Sequence, residues 1–130
     1  MSVPEYRDQL VVISDQFQAV SGTDPADEEL LQATILFAAY EDAYDTIAGL
    51  EAPSELQGLH REFVEAFSAT QRHAAEYIGQ EGMDGTFSFA SLRADPDFQS
   101  VFEAMQRSCD DLRLEIARVL DEPIPDTCSY

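Results

Sequence analysis

The sequence predicts an all-α fold: an antiparallel up-down-up-down four-helix bundle with a short extra helical turn in its third connection and a non-helical C-terminal tail. Three observations carry this prediction. Four stretches repeat apolar residues at alternating steps of three and four, which draws one stripe along a helix. Glycines or cap-plus-proline pairs stand between the stretches. The stripes also agree in register, because facing positions total 50 between the first and second, 103 or 104 between the second and third, and 175 or 176 between the third and fourth.

The first helix, about 5–21, carries Tyr6, Leu10, Ile13, Phe17 and Val20 and stops at Ser21-Gly22. Asp24 is the N-cap of the second, about 25–49, with Pro25 at its first position and Asp27, Glu28 and Glu29 suited to the positive helix end. Its stripe is Leu30, Ala33, Phe37, Tyr40, Tyr44 and Ile47, and it ends near Gly49. Pro53 opens the third helix, about 53–79, striped by Leu56, His60, Phe63, Phe67, Thr70, Ala74 and Tyr77 up to Gly79. The connection over 79–94 holds Gly79, Gly82 and Gly85 with Phe87, Phe89 and Leu92, and a helical turn is expected around Ser88–Leu92. Asp95-Pro96 repeats the cap-plus-proline signal and starts the fourth helix, about 95–120, with Phe98, Phe102, Met105, Cys109, Leu112, Ile116 and Val119 on its stripe. Pro123 and Pro125 keep the tail, 121–130, out of helix.

The chain reads as one domain, 1–130, with five nameable core layers. These are Val20-Leu30-Ala74-Phe102, Phe17-Ala33-Thr70-Met105, Ile13-Phe37-Phe67-Cys109, Leu10-Tyr40-Phe63-Leu112 and Tyr6-Tyr44-His60-Ile116. Large residues face small ones in several of them, as dense packing requires.

Twenty-six acidic side chains against seven basic ones give a net charge of −19. A field this negative repels phosphate and argues against direct binding of nucleic acid or an anionic membrane. The longest aliphatic run, Leu10–Ile13, is far too short for a membrane span. An apolar share of 45% is too high for a disordered acidic tail. All seven basic residues are arginine, which suits either a salt-adapted surface or a GC-rich genome. Met1-Ser-Val-Pro-Glu lacks the basic start and apolar stretch of a secretory signal, so the chain reads as cytosolic or as a mature fragment of an exported protein.

Tyr6, Tyr44 and His60 form the most unusual layer, two phenols and an imidazole able to satisfy one another by hydrogen bonds. The structural reading is a polar core layer; the chemical one is a ligand or proton-transfer site. Glu41 and Glu62 lie near its level, so Glu41, His60 and Glu62 are the candidate ligands for a metal. A di-metal bundle needs inward glutamates and Glu-x-x-His pairs, whereas Gln57 and Thr70 stand three positions before His60 and His73. His73 and Glu76 fall on a face that the register places outside. No nucleophile elbow, glycine-rich phosphate loop or EF-hand spacing is present, and neither an enzyme nor a cofactor is expected.

Cys109 and Cys128 lie nineteen positions apart, one on the fourth helix and one in the tail. The tail is long enough to double back to position 109 at roughly 3.3 Å per residue. An even cysteine count and a proline-rich tail favour a disulfide over a free thiol in the core, and with it an oxidising compartment. The segment Leu50-Glu-Ala-Pro-Ser-Glu-Leu-Gln-Gly-Leu-His60, followed by Phe63, resembles a pattern in uncharacterised helical domains of bacterial exported proteins and lipoproteins. Such domains often pair a cysteine of the last helix with one in a short C-terminal tail, the places of Cys109 and Cys128 here. The resemblance spans roughly the second to fourth helices and implies export and a bundle fold, without an activity.

The expected function is a non-catalytic binding module with a protein partner, exported or surface-associated, its surfaces being Phe87, Phe89 and Leu92 and the bundle end near Tyr6 and Tyr44. The alternative is an intracellular acidic inhibitor, a DNA mimic or immunity-type protein. It would occupy a basic groove of its partner through Asp24, Asp27, Glu28, Glu29, Glu41, Asp42 and Asp45.

Overall fold

The computed structural model describes residues 1–21, 29–85 and 87–130, and within them every side chain but those of Ser21, Glu29 and Leu30. The helices are α1 (Val3–Ser21), α2 (Glu29–Ala48), α3 (Gln57–Asp84), α4 (Phe89–Ala94) and α5 (Pro96–Leu120), with a 3₁₀ turn (Ser54–Leu56) leading into α3. The fold is all-α, with no strand among the described residues. Neighbours in the chain pack side by side, α1 on α2, α2 on α3 and, most extensively, α3 on α5. The circuit closes only thinly, since α1 and α5 meet over a short stretch.

Most of the expected stripe is buried. Phe17, Ala33, Thr70 and Met105 form one fully buried layer, and Leu10, Phe63 and Leu112 are buried together below it. The Thr70 hydroxyl points at two carbonyls, Ala66 on its own helix at 2.9 Å and Val101 on α5 at 3.0 Å. Its proton is therefore satisfied inside the core, and it ties α3 to α5.

Val20 and the rings of α2 depart from the expected layers. Val20 is 38% exposed. A straight α-helix drifts by about 20° per heptad from a strict seam, so two heptads from Tyr6 carry Val20 roughly 40° away from the core. On α2 the buried residues are Ala33, Ala39, Ala43 and Ile47, while Phe37, Tyr40 and Tyr44 are half-buried. Ala39 and Ala43 face Ile13 and Phe17 of α1, and their small size lets that pair of helices approach closely. The α2 rings turn towards α3 instead, with Tyr40 and Tyr44 at 5.2 and 6.0 Å from the Phe67 ring. Tyr44 therefore leaves the polar layer expected of it.

The helix ends follow local chemistry. Ser2 caps α1, its hydroxyl accepting the Glu5 N–H at 3.2 Å, so the helix begins slightly earlier than the apolar stripe suggests. α3 does not stop at Gly79 but runs through Gly79 and Gly82 to Asp84. Glycine inside a helix costs only about 1 kcal/mol, and the packed faces on either side outweigh it. Termination falls at Gly85, whose φ of 70° is left-handed and whose N–H turns back to the carbonyls of Glu81 and Gly82. The start of the second helix at Asp24-Pro25, with Leu30 of the first layer, lies outside what is described.

The tail completes the bundle. A disulfide joins Cys109 to Cys128, with 5.7 Å between their α-carbons. The Asp126 carboxylate accepts the Cys128 N–H and the Ser129 hydroxyl, each at 2.9 Å, which turns the chain inward and holds that carboxyl below its usual range. Thr127 and Cys128 are buried, and Arg7 of α1 pairs with Glu122 just beyond α5. The tail thus covers the seam that α1 and α5 leave thin.

Candidate functional site

Val20 is turned outward and alanine stands at 33 and 74, so among the described residues little bulk faces Phe102. A cleft of about 580 Å³ occupies that space, walled by Ala33, Phe37 and Tyr40 of α2, Ala74 of α3 and Phe98 and Phe102 of α5. Its volume falls within the range of small-molecule sites, and its lining is predominantly apolar.

The connection over 79–94 supplies one wall. Ser88 caps α4 by accepting the Ser91 N–H at 3.0 Å, and the helix ends where Pro96 forces Asp95 into an extended conformation. Phe89 and Leu92 line the cleft from α4. Phe87 packs on Tyr77 and Phe89, with ring centroids 6.4 and 5.4 Å apart. Of the three residues expected as an interaction surface, Phe89 and the buried Leu92 thus line the cleft, and Phe87 packs against Phe89 outside its lining.

Asp95 fixes this wall. Its carboxylate caps α5 by accepting the Phe98 N–H at 3.0 Å and meets His73 Nε2 of α3 at 2.7 Å. The His73 hydrogen bond, and after it the Phe98 N–H, hold the Asp95 carboxyl below its ordinary range. His73 is half-buried, not on the outer face, because the last turns of α3 run beneath the α4–α5 junction. The Gln99 amide donates to the Arg93 carbonyl at 2.6 Å and closes the junction.

Tyr130 closes the inner end of the cleft. Carried inward two residues beyond Cys128, its ring lies among Phe17, Tyr40, Phe63 and Phe67, at centroid distances of 5.3, 6.5, 6.4 and 5.2 Å. Its hydroxyl oxygen is buried with no hydrogen-bond partner among the described residues. Burial raises the pKa of both Tyr130 and Tyr40, so both phenols stay protonated. No periodicity marks Tyr130 in the sequence. The available signal was an aromatic residue just past a bridged cysteine.

At the opposite end of the bundle Tyr6 is fully buried and its hydroxyl meets His60 Nδ1 at 2.7 Å. Burial raises the phenol pKa and lowers that of the imidazole, so both are neutral and Tyr6 donates to an accepting Nδ1. His60 also borders an open depression of about 780 Å³ with Leu50, Pro53 and Arg61. The expected layer is thus a pair, Tyr6 and His60, resting on Ile116, which is buried, without Tyr44.

Glu41 and Glu62 are exposed, and among the described residues no group of three or more His, Cys, Asp or Glu side chains could hold a metal ion. Glu41, His60 and Glu62 are therefore not brought together as a centre. Of the acidic residues singled out, Glu41, Asp42 and Asp45 are exposed along α2. Asp24, Asp27 and Glu28 lie outside the described residues, as does the Glu29 side chain. No described helix is long and apolar enough to cross a membrane.

Fold and site together define a disulfide-closed helical bundle with an apolar cleft at one end. Comparison with protein-family models, curated proteins and solved structures gives no match.

Proposed function

We propose that the protein is a non-catalytic binding module that takes an apolar small molecule into the cleft between α2, α3, α4 and α5, and that it works outside the cytoplasm. The carrying observation is the cleft itself, about 580 Å³ of space faced by Ala33, Ala74, Leu92 and aromatic rings. Neither histidine lines the cleft, and each has one ring nitrogen engaged elsewhere, His60 by Tyr6 and His73 by Asp95. The Cys109–Cys128 bridge supports an oxidising compartment.

The neutral fluorophore N-phenyl-1-naphthylamine tests the reading. The folded protein is expected to enhance its emission saturably, and Ala74→Phe, which fills the cleft, is expected to weaken binding at least tenfold. A folded native protein that leaves the fluorophore in water overturns the proposal.

A second reading rests on the exposed carboxylates of Glu41, Asp42 and Asp45, which favour a basic protein partner held as by an acidic inhibitor. Its mark is affinity that falls steeply with added salt.

A further inference from the structure

We infer that the ligand of the cleft is a neutral aromatic compound, and that Tyr130 is its tethered stand-in. The inference rests on the cleft reading above and deepens it. The inner end of the cleft is an aromatic cage, with Phe17 from α1, Tyr40 from α2 and Phe63 and Phe67 from α3, and the Tyr130 ring fills it at 5.2–6.5 Å from all four. Edge and tilted contacts of this kind favour another π-system over a saturated chain of similar bulk. The occupant does not come from the bundle's own helices. It arrives on a tail fixed to α5 by the Cys109–Cys128 bridge, with only Ser129 between bridge and ring.

Tyr130 also matches the cage poorly. Its hydroxyl oxygen is buried there without a hydrogen-bond partner among the described residues, a penalty that a ring lacking a hydroxyl escapes. An incoming apolar ring therefore competes favourably with it. The same residue borders an open surface depression with Gln106, Asp110 and Ser129, which adjoins the cleft through Phe102 and Ser129. When the Tyr130 ring swings into that depression, its hydroxyl regains water and the cage opens to the cleft, while the disulfide keeps the tail in place. The predominantly apolar lining favours an uncharged ligand, and the net charge of −19 disfavours an anion in particular.

Naphthalene is the probe, titrated into the oxidised 130-residue chain. Saturation is expected to move the Tyr130 ring-proton resonances from their ring-current-shifted positions towards those of a solvent-exposed tyrosine. Tyr130→Phe, a better plug, is expected to weaken naphthalene binding at least threefold, and Tyr130→Ala to tighten it at least tenfold. The phenylalanine variant separates displacement from mere cavity creation, because it leaves the cage full. Naphthalene binding that leaves the Tyr130 resonances in place and is indifferent to Tyr130→Phe overturns the stand-in and leaves the cleft reading intact. Failure of naphthalene where N-phenyl-1-naphthylamine still binds has the same meaning. Failure of both probes overturns both proposals.

Discussion

Burial decides the protonation of Tyr6 and His60, and so the pH response of that end of the core. The His60 pKa is lowered on folding, which means the unfolded chain binds a proton more readily. Its contribution is complete above the unfolded value of about 6.5 and is lost as pH falls from there through the folded pKa. Urea unfolding of the native protein is expected to weaken between neutral pH and pH 5, and His60→Gln to flatten that part of the profile. An unchanged slope in the variant assigns the pH effect elsewhere. Removing the donor with Tyr6→Phe is expected to cost about 1 kcal/mol, the net worth of one such hydrogen bond. Tyr130→Phe has the opposite sign, because it deletes a buried hydroxyl that bonds to nothing. A gain of up to about 1 kcal/mol in the same assay is expected, and a loss shows that the hydroxyl has a partner. The Tyr6–His60 pair was legible because both lie on apolar stripes whose registers agree. Tyr130 was not, since a tail without periodicity gives no clue to which ring it meets.

Glycine and aspartate set the limits of α3, α4 and α5, with different consequences for substitution. At Gly85 the backbone is left-handed with φ of 70°, so Gly85→Ala is expected to destabilise by about 1 kcal/mol even though nothing crowds the new methyl group. Gly79 is helical with open space beside it, and Gly79→Ala is expected to stabilise by roughly the same amount. Thermal denaturation of the two variants reads the contrast; equal shifts in one direction contradict this account of where the helix ends. Asp95 joins element boundaries to pH. Its depressed folded pKa means that its contribution is present above the unfolded carboxyl pKa and disappears as pH falls through the folded one. Asp95→Ala is expected to lower the melting temperature at neutral pH and to make little difference in strong acid. The cap was plain in the sequence as Asp95-Pro96. The end of α3 was misplaced because a glycine marks a possible stop, and only the packing beyond it decides whether the helix takes it.

At the scale of the whole molecule, the four long helices and their order could be read from constant register totals, which test every helix against its neighbours. The cleft could not be read that way. It arises because an ideal helix drifts from its seam and because alanines draw α2 towards α1, both small rotations that a list of facing residues does not contain. Self-repulsion at a net charge of −19 opposes compaction, so molar sodium chloride is expected to raise the melting temperature. Insensitivity to salt shows that the carboxylates are too dispersed to repel. The bridge acts in the other direction. Replacing Cys109 and Cys128 by serine is expected to cost about 3 kcal/mol from loop closure, and to do so at every salt concentration.

The thin contact between α1 and α5 gives biosynthesis an order. Residues 121–130 are joined to the chain after all four long helices have been made, yet they supply the ring that meets Phe17, more than a hundred positions earlier. Until those residues are in place, Phe17, Tyr40, Phe63 and Phe67 lack the ring contact that Tyr130 supplies. Such long-range closure comes late in folding. The Cys109–Cys128 bridge then latches that late-made stretch onto helices synthesised before it.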